Sequence, residues 1–261
     1  MLTGLETIAV ELAKFDYIQF DELSHTYRVD NKELISVTTL IHQFQKEFAS
    51  DYWAERKALE RGVERQVVLD EWAAKATQAQ LRGTSFHEYM ERNLNKLELL
   101  EHPLHLVPLK PLADKFLADI QGKMIAIKSE FRVGDNLLAI AGTVDQLFFN
   151  LKSQQLEIWD WKSNSKFNSA SRYTLINGLE HLADCEHVVY SLQLLLYRHL
   201  LVTNSKLKIG GCYIAWFNEN NSNYKIYPVL NLQAEVELIY KQRFLTLRGK
   251  NSPASTGLKL E

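Results

Sequence analysis

Three short runs rich in β-branched and aromatic residues, 128–134, 137–149 and 155–164, follow one another with turn residues between them. Runs of that length and composition read as neighbouring strands of one sheet. Acidic residues sit inside them, in Gly142-Thr143-Val144-Asp145 and in Asp160-Trp161-Lys162. With the turn at Lys152-Ser153, Asp145 and Asp160 are equally distant from it and face each other. Directly opposed side chains have Cβ atoms roughly 4.5–5.5 Å apart. Strand alternation puts Ile158, Asp160 and Lys162 on one face and Glu157, Trp159 and Trp161 on the other.

Two carboxylates that close, among Val, Ile, Leu and Phe, repel strongly, and a divalent cation relieves the repulsion. Magnesium suits such a pair, since it prefers oxygen ligands and keeps room for water and phosphate oxygens. Lys162, roughly 6–7 Å along the face from Asp160 by strand rise, could activate the attacking water or stabilise developing phosphorane charge. Gly142 has no side chain, so substrate or another backbone could approach it. A lone D-x-K triplet is common by chance and reads as a solvated hairpin with a routine ion pair. The opposed second acid and the apolar setting favour a site over that surface reading.

The rest of the chain frames this hairpin. Residues 16–30 suggest a small hairpin turning at Asp30 and Asn31, and Ser36 can cap a helix through Phe44. Helix is expected over 51–80. Gly83-Thr84 then punctuate the chain before a further helix carrying His87 and Glu91. Pro103, Pro108 and Pro111 mark a loop, with a helix up to about Ile127. Beyond the three strands come a helix near 184–202, strands near 208–218 and 224–229, and a helix near 231–247. The sum is a mixed α/β fold around one sheet. It divides into a mainly helical part over 1–127, a sheet core with its helix over 128–230, and a final helix, all in one domain over 1–247. The tail 248–261, rich in small and polar residues, is expected to fray.

The 261 residues carry a formal net charge of −2, so bulk charge does not announce a nucleic-acid binder. Phosphate contacts must come from a local basic patch or a bound metal. Two cysteines, Cys185 and Cys212, are too few for a disulfide framework or a cysteine-held cluster, and favour a reduced, intracellular setting. The start lacks the pattern of a signal peptide. The most apolar stretch, 188–202, contains Gln193, Arg198 and His199 and is too short and polar for a membrane span.

Taken in order, the motifs resemble the PD-(D/E)XK nuclease superfamily, and within it the RecB-like branch. Gly83-Thr84-Ser85-Phe86-His87 with Glu91 resembles a G-T-x-x-H-x-x-x-E helix, and Glu130 the acidic strand residue ahead of the hairpin. Gly142-Thr143-Val144-Asp145 resembles G-T-[IV]-D, Asp160-Trp161-Lys162-Ser163 resembles D-[YW]-K-[TS], and Gln193 with Tyr197 resembles a Q-x-x-x-Y helix. His25-x-Tyr27 and Ser36-Val37-Thr38-Thr39 resemble the opening of stand-alone phage-type exonucleases and of mitochondrial genome maintenance exonucleases.

The resemblance implies a restriction-endonuclease-like sheet flanked by helices and a Mg²⁺-dependent deoxyribonuclease, with Mn²⁺ as an alternative ion because imidazole joins the site. It implies catalytic roles for Asp145, Asp160, Lys162 and Glu130, and metal contacts from His87, Asp145, Asp160 and the Trp161 carbonyl. It also implies DNA contacts from Gln193, Tyr197, Ser163, Lys166 and Arg172, with support from Glu91, Gly142 and Thr143. Each supporting residue has a plainer reading: His87 on a surface helix, Glu130 as a strand-surface charge, Gln193 and Tyr197 in a self-satisfied core helix. An exonuclease on single strands or DNA ends is the implied activity, in repair, recombination or phage replication. The chain would be cytoplasmic and bacterial or phage-encoded. A restriction or defence endonuclease and an inactive nucleic-acid-binding module are the rivals. Related iron–sulfur nucleases carry four cysteines, so no iron–sulfur cluster is expected. No Walker phosphate loop is present, so any helicase or recombination partner is a separate protein.

Overall fold

The computed structural model describes residues 4–98 and 104–250. A helix, α1 (Gly4–Leu12), leads into β1 (Gln19–Asp21), β2 (Thr26–Val29) and β3 (Lys32–Ser36), which pair antiparallel in succession. The β2–β3 turn is Asp30-Asn31, both left-handed at φ 47° and 66°, as a two-residue hairpin demands and as Asp and Asn tolerate. The expected turn therefore forms between β2 and β3, and β1 adds a third strand to the hairpin. Ser36 then caps α2 (Val37–His42), its hydroxyl accepting from the Thr39 N–H at 2.9 Å.

Two helices, α3 (Ser50–Arg61) and α4 (Arg65–Leu94), replace the single one expected over 51–80. Gly62 ends α3 in the left-handed region, φ 67°, where glycine has no Cβ penalty. Gly83 and Thr84 do not punctuate the chain, because α4 runs through them for 30 residues. A helical glycine costs about 1 kcal/mol relative to alanine, and anchoring at both ends of α4 offsets it. Near its start Val68, Leu69 and Trp72 pack on Ala54 and Ala58 of α3. Near its end Phe86, Tyr89 and Met90, one helical face, are buried against the sheet.

Pro111 lies in the first turn of α5 (Lys110–Ile120), where its missing N–H forfeits no bond; Pro103 lies outside the described residues. The helix stops at Ile120 rather than Ile127, since Gly122 turns the chain at φ 71° into β4 (Met124–Asp135). With β5 (Ile140–Asn150) and β6 (Gln155–Lys162), β4 forms the expected antiparallel meander. Then follow α6 (Glu186–Asn204), β7 (Ile209–Trp216), β8 (Lys225–Pro228) and α7 (Gln233–Lys250). Residues 248–250, expected in the tail, belong to α7; 251–261 lie outside the described residues.

All eight strands join one mixed sheet in the order β1-β2-β3-β5-β6-β7-β8, with β4 also paired to β5. β3 and β6 hold different ends of β5. The parallel β3 pairing covers Ile140 and Ala141, and the antiparallel β6 pairing begins at Gln146. The fork between them opens at 142–145. On one face α6 packs Leu192, Leu196 and Leu200 with Ile140, Val144, Ile158 and Ile214. On the other, Phe116 of α5 meets Trp159 and Trp161 at ring distances of 5.7 and 5.3 Å, and Phe86 of α4 joins the same cluster. Both tryptophans thus occupy the face opposite Ile158, as alternation requires.

Candidate active site

The β5–β6 register runs from Gln146↔Trp159 to Asn150↔Gln155, so the turn is centred on Lys152-Ser153. Asp145 and Asp160 form the next pair in that register, but the ladder stops one pair short of them. The Trp161 N–H donates instead to Asp145 Oδ2 at 2.7 Å. Each carboxylate thus has a partner, Asp145 in the backbone of β6 at the fork and Asp160 in the lysine, while Asp145 still repels Asp160. Lys162 Nζ lies 2.6 Å from Asp160 Oδ2, far closer than the strand rise between the residues, because its long stem brings the head back. Across β5 the row continues. Glu130 lies between the pairs Ser129↔Gln146 and Phe131↔Val144, level with Asp145, and at a left-handed φ of 45°. A non-glycine residue in that region is strained, and such strain gathers at functional sites.

Helix α4 carries His87 onto this row. Its Nε2 lies 3.2 Å from the Trp161 carbonyl oxygen. Its Nδ1 lies 3.5 Å from Glu130 Oε1 and 3.7 Å from Asp145 Oδ1. An Nε2–H donated to the carbonyl leaves Nδ1 facing the acids. His87, Glu130 and Asp145 each offer a ligating atom within 4.8 Å of the others. Asp160 is outside that trio. Its Oδ2 is buried without an aligned hydrogen bond, so the close approach of Lys162 is a contact of charge.

Burial dominates the electrostatics. It pushes the Asp160 carboxyl up to about 6, even though Lys162 pulls the other way, and it raises Asp145 as well. Burial disfavours a charged His87, but Asp145 and Glu130 outweigh it and carry the imidazole up to about 9. Burial likewise disfavours the Lys162 ammonium, and Asp160 and Asp145 overcome that to raise it. Tyr190 of α6 lies against that ammonium, its ring centre 4.6 Å from Nζ. Without added metal, then, an imidazolium and an ammonium face three carboxyl groups.

The family model of the PD-(D/E)XK nuclease superfamily matches residues 23–242, which contain every one of these groups. The chain belongs to this superfamily. Its mixed sheet flanked by helices is accordingly restriction-endonuclease-like. A solved structure described as "Crystal structure of SSO0001" aligns over 93% of this chain and 87% of that one, at 12% identity and a TM-score of 0.37, a likeness too distant to transfer any feature. No curated protein matches the sequence. No helix among the described residues is long and apolar enough to cross a membrane.

Nucleases of this superfamily typically use divalent metal ions, and the residues present fit one. The donors are carboxylate oxygens, an imidazole nitrogen and a backbone carbonyl, beside a buried carboxylate oxygen, Asp160 Oδ2, that lacks an aligned hydrogen bond. Glu91 follows His87 one turn later on α4 but is not among the converging ligand atoms.

The remaining candidates of this PD-(D/E)XK chain divide by burial. Tyr197 is buried, 4% exposed, and takes a hydrogen bond from Gln193 Nε2 at 2.9 Å. A Cβ on Gly142 would run into Tyr197 Cε1. The space that glycine leaves on β5 is thus filled by this ring, not by substrate, and Tyr197 has no open face for DNA. Thr143 Oγ1 is 2.8 Å from the Tyr27 hydroxyl, which ties the N-terminal hairpin to the fork. Ser163 is half-buried at the end of β6, while Lys166 and Arg172 are exposed on the loop beyond it. The sequence motifs did not single out Tyr190, because its contact with Lys162 depends on how α6 packs on the sheet.

Proposed function

We propose that this protein hydrolyses DNA phosphodiester bonds with Mg²⁺, or with Mn²⁺ in its place, as an exonuclease on single strands or DNA ends. The convergence of His87, Glu130 and Asp145 beside the Asp160–Lys162 pair carries the reading. Asp145, Asp160 and His87 would hold the metal, with Glu130 and the Trp161 carbonyl as further donors. A divalent ion there supplies Lewis-acid polarisation of the phosphate and neutralises the acids. Lys162, held protonated by Asp160 and Asp145 in the metal-free site, would meet developing negative charge on the phosphate. Gly142 and Thr143 shape the fork, and Glu91 supports the His87 face of α4. Ser163, Lys166, Arg172 and Gln193 would contact the DNA backbone. Tyr197 would act indirectly, by fixing Gln193.

The preference for an exonuclease of the RecB-like branch, serving repair, recombination or phage replication in the cytoplasm, rests on the resemblance of the ordered motifs. Linear and circular DNA, single- and double-stranded, incubated with Mg²⁺, Mn²⁺ or EDTA, tests the proposal. Metal-dependent loss of linear substrate, abolished by Asp145→Asn, is expected. Cutting of circles would make the protein an endonuclease, and binding without cleavage would make it a passive module.

A further inference from the structure

An open cleft of about 700 Å³ lies between the segment that follows α2, the helices α3 and α4, and the loop that follows β6. Phe48, Trp53, Trp72 and Tyr173 line it. Phe48 is 62% exposed and Tyr173 49%, and the Phe48 and Trp72 rings stand 5.8 Å apart. Accessible rings this close together offer faces on which a flat ligand group can stack. Cations accompany them. Lys46, Lys57 and Arg172 share the lining. The Arg172 guanidinium sits 4.8 Å over the Tyr173 ring, and that of Arg56 sits 5.6 Å over Trp53. Two acids, Glu47 and Asp184, are also present, and Asp184 accepts a hydrogen bond from Gln45 at 2.7 Å.

Aromatic rings and arginine also occur at protein–protein interfaces, but lysine is depleted at their cores, so Lys46 and Lys57 in the lining weigh against a protein partner. Aromatic faces beside a basic rim are what single-stranded nucleic acid uses: bases stack on the rings and phosphates meet the cations. The cleft also leads to the chemistry. Gln45 and Asp184 line a second cavity of about 330 Å³, whose wall includes Tyr190, the ring against which Lys162 rests.

We propose that the Phe48–Trp53–Trp72–Tyr173 cleft stacks unpaired bases of a single-stranded DNA whose scissile phosphate lies at Lys162. This rests on the nuclease reading above and makes single-stranded DNA the substrate class. Duplex bases are already stacked on one another and cannot reach the rings. The cleft therefore discriminates single strand from duplex.

The test measures binding of an oligothymidylate of about 20 nucleotides, and of a blunt duplex of equal length, with Ca²⁺ replacing Mg²⁺. Single-strand binding is expected to quench tryptophan emission through Trp53 and Trp72. Phe48→Leu and Tyr173→Leu, which keep apolar volume but remove the ring, are expected to weaken single-strand affinity roughly 5- to 100-fold each, and duplex affinity far less. Wild-type affinity in both variants, or saturation of the wild-type protein without quenching, overturns the proposal. Equal losses for single strand and duplex also overturn it, because they would show a general phosphate contact. If the wild-type protein cleaves no DNA with either metal, the nuclease reading falls, while quenching and affinity still decide what the cleft binds.

Discussion

Above about pH 6, and without metal, the folded chain must carry an ionised Asp160 that is only 2% exposed. Its carboxyl is raised from 3.8 to about 6, roughly two pKa units at about 1.4 kcal/mol each. The folded-state pKa lies above the unfolded one, so the associated stability is fully present below 3.8 and is lost as pH rises through 6. Of the total of about 3 kcal/mol, linkage places about 2 kcal/mol between roughly pH 4.5 and 7. For a chain of this size that lowers the melting temperature by about 4–8 °C. Asp160→Asn removes the titration, so its curve should lack this descent, whatever constant offset the unpaired Lys162 adds. The assay is a series of thermal melts in EDTA across that window, for both proteins. Repeating it with Mg²⁺ or Mn²⁺ should reverse the trend for the wild type, because the ion binds the ionised form and stabilises by mass action. Asp160→Asn should lose most of that gain. Parallel curves for the two proteins in EDTA would refute the reasoning, since Asp160 would then not be the strained carboxyl of the site.

The same site fixes further expectations. His87, raised to about 9, stabilises the metal-free fold fully below about 6.5 and loses that contribution as pH rises through 9, so His87→Gln should flatten the melting curve over that interval. Lys162→Ala should lower turnover on the order of 10²–10⁴-fold while retaining the metal-induced rise in melting temperature; loss of both would point to misfolding. Gly142→Ala drives a methyl against the buried Tyr197 ring and should cost about 1–3 kcal/mol. Adding Tyr197→Leu should recover part of it, and a wild-type melt for the single variant would contradict the packing. Tyr197→Phe should cost about 1 kcal/mol for the lost Gln193 hydrogen bond, read in denaturant melts.

Local rules that depend on near neighbours were legible in the chain itself. Two strands joined by a short turn can have only a few registers, so Asp145 and Asp160 fell level with each other and the tryptophans fell on the far face. Asp30-Asn31 and Ser36 were readable because left-handed turns and helix caps need particular side chains at particular positions. Gly83 misled, since a glycine in a helix is a small penalty that anchoring at both ends of α4 offsets, and those anchors lie far off in sequence.

Tertiary structure decided what each site residue touches. That β3 and β6 grip opposite ends of β5 is a matter of long-range pairing, and at the resulting fork Asp145 accepts the Trp161 N–H. The row that joins Glu130 to Asp145, the helix that lowers His87 onto it, and the packing of α6 that sets Tyr190 against Lys162 and Tyr197 into Gly142 all join residues distant along the chain. The sequence by itself determined which side chains had chemistry to offer and on which strand face they stood, because alternation and turn geometry are local. Which of them share charge, and which are shut away from substrate, followed only from burial, and burial belongs to the assembled fold.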